Sequence, residues 1–298
     1  LSGDSTYFRV LWLPMKGRFS FYSADHPFIS ATDLVQIFKN RVGSVLFDGI
    51  TPAQSKLLLL LKKDYSKQLL NNMAVKYVIV PSAEKRVKRI NINNTDDVVE
   101  IFEHFGSRQF FVNELSNINY LKKIYIGANG LDIYENEGYR PHIYQTNEPE
   151  TIDKVIPYQE VSFNVVNPTE YKVGLMEISS PIYLNFSEAY RQNWKVRVGE
   201  FDWFKVLTET NYFVSDKNHS RTDSMLNSFY LDPASICKTY ACNKNSDGSV
   251  DIKLTLYFRP QSYFYLGLIV SGATLFLCIG YLIISMVRKY GRRANQQN

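Results

Sequence analysis

The chain has 298 residues, 45% of them apolar, and a net charge of +5. Four of those positive charges sit on Arg288, Lys289, Arg292 and Arg293, so the remainder is close to neutral and has none of the basic excess that nucleic-acid binding requires. The three cysteines and the scattered histidines His26, His104, His142 and His219 show no metal-ligand spacing, which leaves no basis for assigning a metal.

The chain opens at Leu1 without a basic stretch followed by an apolar run, so a signal peptide already removed and membrane spans ahead of Leu1 both stay open. Thr51-Pro52-Ala53-Gln54 has a capping residue, proline at the first helical position and glutamine at the capping-box position, which predicts a helix running to about Met73. A strand, KYVIVP, follows it directly, and the basic run Lys85 to Arg89 reads as a solvated face. Thr95 is expected to cap a second helix, because Val98, Ile101, Phe102 and Phe105 fall on one stripe with Asp96, Asp97 and Glu103 outside it. The stretch KKIYIGANGLDIYENE then reads as a hairpin turning at Asn129-Gly130. Residues 1–155 are therefore expected to form a small α/β domain. They contain no phosphate-binding loop, dinucleotide fingerprint, nucleophile elbow or zinc-protease motif, so no catalytic or cofactor-binding residue is assigned.

Near residue 155 the apolar period changes to two. Val161, Phe163, Val165; Tyr171, Val173, Leu175; Ile182, Leu184, Phe186; and Trp194, Val196, Val198 alternate with polar residues, and residues 156–260 read as an antiparallel β-sandwich. Within it, NFSEAYRQNWKVRVG (185–199) brings a carboxylate, large aromatics and basic side chains onto two strands and a polar turn. Two readings follow. Trp194 and Tyr190 serve the sandwich core and its corner, or Glu188, Tyr190, Asn193 and Trp194 form a rim that meets a glycan, the aromatic faces stacking on sugar C–H groups. Glu188 and Asp202 also offer a carboxylate pair of the kind glycoside hydrolysis needs. Cys237 and Cys242 form a C-x4-C pair in a polar loop, which fits a small-loop disulfide in an oxidising compartment or two free thiols in a reducing one. The sequons at Asn93, Asn185 and Asn218 carry little weight in an Asn-rich chain.

From Pro260 to Val287 there is no charged residue. The 25 residues 263–287 make a helix of about 37 Å, longer than the hydrocarbon core of a bilayer at about 30 Å. Tyr263, Phe264 and Tyr265 supply an aromatic belt at one end, and residues 288–298 form a basic tail at the other, which the positive-inside rule places in the cytoplasm. The bulk of the chain is then extracytoplasmic at a cell membrane, with a tail-anchored cytosolic domain as the competing topology. The last strand, VDIKLTLYF, runs almost directly into this helix, so the sandwich sits on the bilayer surface in a restricted orientation. The expected fold is thus α+β: a small α/β domain, a β-sandwich, and one C-terminal transmembrane helix.

Several stretches in order, YFRVLWLP, VKYVIVP, IYENEGYRP, FSEAYRQNWKVRVG, NSFYLD and LTLYFRPQSYFYLGLIVSG, resemble the C-terminal extracytoplasmic part of polytopic membrane proteins of the YfhO-like kind, related to GT-C type lipid-linked-sugar glycosyltransferases. The resemblance implies a many-spanning membrane portion ahead of Leu1 that holds the catalytic acid, with no such role for any residue present. The partners it implies are the lipid bilayer, that membrane portion, and a glycan or lipid-linked sugar. The chain departs from the pattern at Ser228-Phe229 and in its C-x4-C insertion. Three functions then compete: an accessory domain capping a membrane glycosyltransferase, a single-span receptor or adhesin ectodomain, and an independent hydrolase.

Overall fold

A computed structural model of the protein describes residues 6–14, 26–30, 34, 53–82, 85–89, 96–100, 102, 107–127 and 130–294. The fold is α+β and ends in one long apolar helix. In the first unit, strands β1 (Arg9–Trp12), β2 (Phe28–Ser30) and β3 (Val75–Val80) are parallel, and β3 pairs antiparallel with β7 (Asp132–Glu135), which pairs with β6 (Lys122–Ile124). Valine, isoleucine and tyrosine dominate β3, which is covered on both faces, Val78 and Val80 in one apolar cluster and Tyr77 and Ile79 in another. Strands β6 and β7 form the expected hairpin, with Ile124 opposite Ile133. Gly130 has φ of +80° and its Cα faces the Ser82 side chain, so a Cβ there would meet Ser82 Cβ at 3.1 Å; this is a position for glycine on both counts. Asn129 lies outside the described residues.

The helix expected to run to Met73 is instead two: α1 (Ala53–Leu61) and α2 (Asp64–Asn72), with Lys63 extended between them. Leu57, Leu58, Leu60 and Leu61 are buried, and continuing the same helix through Lys62-Lys63 would carry ammonium groups into that core, at a cost the break avoids. The Ser66 hydroxyl donates to the Leu60 carbonyl at 2.6 Å and satisfies an acceptor that the end of α1 leaves open. Thr51 and Pro52, the expected cap, lie outside the described residues.

The second expected helix is a correction. Residues Asp96–Glu100 form strand β5, paired antiparallel with β4 (Lys85–Arg89). The backbone register sets Lys88 opposite Asp97, Arg89 opposite Asp96 and Val87 opposite Val98, so the backbone groups of this stretch are paired across a two-stranded ladder and not along a helix. The helix of this region is α3 (Arg108–Ser116), where Ser107 accepts from the Phe110 N–H at 3.2 Å as its cap and Phe111, Val112 and Leu115 are buried.

The second unit is a sandwich of two antiparallel sheets. One has the order β10 (Ser162–Asn167), β11 (Glu170–Ile178), β17 (Val250–Phe258), β13 (Trp194–Val198), with β16 (Asn243–Lys244) paired to β17. The other has the order β14 (His219–Arg221), β15 (Leu226–Leu231), β12 (Ile182–Ala189), β8 (Ile143–Thr146), β9 (Gln159–Glu160). Every strand read from the period of two is present. Between the sheets lie Tyr171, Val173, Leu184, Phe186, Trp194, Val196, Leu254 and Leu256. Strand β8 precedes residue 156 and still belongs to the sandwich, so that unit begins before the change of period, whose first alternating run, Val161 to Val165, falls on β10, its third strand in chain order.

Two short helices decorate the sandwich: α4 (Lys205–Thr208) and α5 (Pro233–Thr239). Helix α5 starts at Asp232, whose carboxylate accepts from the Ala234 N–H at 3.1 Å, with Pro233 at the first helical position. It presents Cys237 to Cys242 and the two are bonded, with Cα atoms 5.4 Å apart. Cys278 is free and exposed. Helix α6 (Pro260–Ala294) begins immediately after β17, leaving Arg259 as the sole connecting residue. Its residues Pro260–Met286 are long and apolar enough to cross a membrane, and Ser262, in the first turn, is the only residue of that span buried against the rest of the protein.

Candidate functional site

The segment 185–199 touches three different parts of the molecule in turn. Its first part, the end of β12, meets the first unit. Arg9 on β1 is buried; its guanidinium donates to Glu188 Oε1 at 2.8 Å, to Ser187 Oγ at 3.1 Å, to the Met73 carbonyl at 3.1 Å, and also to the Ser187 carbonyl. His142, immediately before β8, is fully buried with Nδ1 2.7 Å from Ser187 Oγ, Nε2 3.8 Å from Glu188 Oε1, and the ring of Tyr7 stacked on its own at 3.7 Å. Burial lowers the proton affinity of His142 well below the ordinary imidazole range, and the Arg9 charge adds to that effect. Burial opposes the Arg9 charge, but the Glu188 carboxylate and the carbonyl and hydroxyl acceptors around the guanidinium hold it protonated. The Tyr7 hydroxyl is held protonated chiefly by burial.

Serine, histidine and glutamate here have the composition of a hydrolase triad without its working geometry. The serine and histidine are sealed between the two units, and Ser187 Oγ already takes a hydrogen bond from Arg9, so no acyl group can approach it and its basicity is spent. The cluster is a polar clamp between β1 and β12. Asn72 Nδ2 donating to Ser224 Oγ at 3.1 Å ties the same two units a short way off.

The second part of the segment is the turn Tyr190–Asn193. Tyr190 is half-buried with its ring 4.9 Å from that of His219, which stacks on Phe229 at 4.3 Å. The Tyr190 N–H donates to the Met225 carbonyl at 2.8 Å and the Arg191 N–H to Asn227 Oδ1 at 3.2 Å. Arg191, Gln192 and Asn193 are exposed. The Asn193 carbonyl accepts from the Arg259 N–H at 2.9 Å, so this turn lies against the start of α6.

The third part is β13. Trp194 is buried among Phe186, Tyr171 and Phe258 at ring separations of 4.8, 6.0 and 5.3 Å. Of the four residues read as a glycan rim, Trp194 is therefore core, Glu188 is committed to the clamp, Tyr190 is a corner side chain, and Asn193 alone is open to solvent. Asp202 caps its own loop by accepting from the Phe204 N–H at 2.8 Å, while Glu188 is held by Arg9; the structure gives them separate tasks and not one paired site. Asn185 is buried, with Nδ2 on Thr146 Oγ1 at 2.9 Å, a position no glycan-attaching enzyme reaches in the folded protein. Asn93 and His104 lie outside the described residues. Among the described residues no group of His, Cys, Asp and Glu is arranged to hold a metal.

A feature that periodicity does not reveal is a groove of about 710 Å³ on the outer face of the sheet β10-β11-β17-β13, with Lys172, Lys253, Glu170, Glu200 and Phe201 among its lining residues. Its polar residues occupy alternate strand positions and look in sequence like any solvated face. The one signal is Gly174, mid-strand, where a Cβ would meet Ser162 Oγ at 2.7 Å; a strand-interior glycine marks a close approach of this kind. Compared with family models, curated proteins and solved structures, the chain matches none.

Proposed function

We propose that this chain is a membrane-anchored extracytoplasmic accessory domain of a lipid-linked-sugar glycosyltransferase-like membrane protein, capping the membrane portion and contacting glycan. The observation that carries the reading is the junction at Arg259: strand β17 passes into α6 through one residue, and the exposed turn Arg191-Gln192-Asn193 is hydrogen-bonded to that residue. With α6 in a bilayer, this turn is held at headgroup level, where a lipid-linked sugar presents its hydroxyls and phosphates to arginine and amide groups. The bonded Cys237–Cys242 pair and the basic residues Arg288, Lys289, Arg292 and Arg293 in the last turns of α6 support an extracytoplasmic orientation.

The outer groove supports a second reading, a single-span receptor or adhesin ectodomain whose ligand enters from solvent. The reading frame upstream of Leu1 separates the two: eight or more apolar spans favour the cap, and a cleavable signal peptide favours the receptor. Orientation is tested in intact cells with an impermeant maleimide in a Cys278→Ser background. The expected result is labelling of Tyr125→Cys and protection of Arg292→Cys; the opposite pattern would reverse the topology.

A further inference from the structure

We propose that the loop 201–204 is a wedge that inserts into the lipid interface beside α6, giving the sandwich a second membrane contact. This rests on α6 crossing a bilayer, and not on the orientation or the ligand proposed above.

The loop between β13 and β14 is built around an aromatic cluster. Tyr212 and Tyr257 are buried with Val206, and Phe201, Trp203 and Phe213 pack against them. It is firmly pinned: Tyr212 Oη accepts from the Asp202 N–H at 2.5 Å, Arg197 lies over the Tyr212 ring at 4.3 Å and donates to the Tyr212 carbonyl at 2.8 Å, and the Val214 N–H donates to the Val196 carbonyl at 2.8 Å. The loop leaves Phe204 54% exposed, with its ring edge-on to that of Trp203; an exposed apolar ring is ordinary by itself, and what sets this one apart is its place beside α6.

The occupant is indicated by position. The Trp203 ring packs edge-on to Tyr265 of α6, with centroids 5.4 Å apart. Residues Pro260–Met286 make about 40 Å of helix against a hydrocarbon core of about 30 Å, so some of the surplus falls at each end, within the headgroups. Tyr265 lies about 7.5 Å along the helix from Pro260, which puts it, and Trp203 beside it, at the boundary between headgroups and acyl chains. Tryptophan and tyrosine favour that boundary because an apolar ring and a polar N–H or O–H are both accommodated there. Phe204, the next residue, then reaches lipid, while Asp202 and Lys205 on either side stay with the headgroups. A water-facing Phe204 on this face would have no such compensation.

The test uses the full chain in phosphatidylcholine vesicles, with Cys278→Ser as background and a nitroxide placed in turn at Phe204→Cys, Tyr125→Cys and Leu277→Cys. Leu277 is 75% exposed on α6 and Tyr125 is 82% exposed on the first unit, so they report lipid and water respectively. The expected result is a ratio of oxygen to nickel-chelate accessibility at 204 several-fold above that at 125 and approaching that at 277. If 277 shows the lipid signature and 204 matches 125, the wedge is overturned while the membrane anchor stands. If 277 itself resembles 125, the anchor falls and the wedge with it. Trp203→Phe gives an independent readout: it should remove most of the tryptophan quenching by lipids labelled near the headgroup, and undiminished quenching would overturn the placement of Trp203.

Discussion

At the residue scale, the two ends of segment 185–199 carry different energetic roles, and substitutions separate them. Trp194 fills the space between the sheets against Phe186 and Phe258, so Trp194→Ala is expected to cost about 3–5 kcal/mol, measured as a lowered denaturation midpoint of the full chain in detergent. Glu188 differs, because its side chain is 34% exposed although its Arg9 partner is buried. Glu188→Gln leaves Arg9 with its carbonyl and hydroxyl acceptors but without its neutralising charge, and the expected cost is about 1–3 kcal/mol, at the lower end because solvent screens the pair. The double substitution Arg9→Met/Glu188→Gln should recover part of that loss, and a strictly additive result in the same denaturation assay would show that the pair is uncoupled.

At the element scale, strand β8 stands out because titratable groups that resist charging lie on both sides of it. His142 before it is kept neutral by burial and by Arg9. Glu150 after it is pushed up to about 7 by burial, against the pull of Arg140, which donates to it at 3.0 Å. The signs are opposite. The depressed histidine contributes stability that is present above its unfolded value and lost as pH falls below about 6.5; the raised glutamate contributes stability that is present below its unfolded value of about 4.5 and lost as pH rises towards 7. Between those limits the two slopes offset each other. Thermal melts between pH 4.5 and 7 should therefore show a steeper acid loss in Glu150→Gln and a shallower one in His142→Gln than in the parent protein. The same strand shows how far the sequence can be read. Strands β10, β11, β12, β13 and β17 were legible because apolar residues recur at every second position along each, whereas β14, β15 and β16 carry no such run and were not read. Strand β8, Ile143–Thr146, is buried at every position, so it has no alternation to detect. Residues Asp96–Glu100 misled for a related reason: a stripe at helical spacing exists, but the register with Lys85–Arg89 is what the chain uses, and only a partner distant in sequence reveals that. Trp194 was legible as core from its place in the alternation. The Arg9–His142–Ser187–Glu188 clamp was not, since it joins residues far apart in sequence with no shared motif.

At the scale of the whole molecule, one end of the sandwich bears both the clamp to the first unit and the start of α6, since the end of β12 and the beginning of β13 are joined by the turn Tyr190–Asn193. The connection to α6 is held by three hydrogen bonds: Arg259 N–H to the Asn193 carbonyl at 2.9 Å, Ser262 N–H to the Arg259 carbonyl at 3.2 Å, and Tyr257 Oη to Ser262 Oγ at 2.9 Å. Four residues of Gly-Ser inserted between Phe258 and Arg259 should break this arrangement, and distances measured between labels on Leu277→Cys and Tyr125→Cys should broaden severalfold in distribution. A strand continuous with a membrane helix is, mechanically, a lever. Helices tilt more in thinner bilayers to match their length to the hydrocarbon, and here the tilt passes into β17, whose nine residues span about 30 Å. A change of roughly 10° in tilt then swings the far end of the sandwich by about 5 Å, so the thickness of the membrane is converted into displacement of a surface well clear of it.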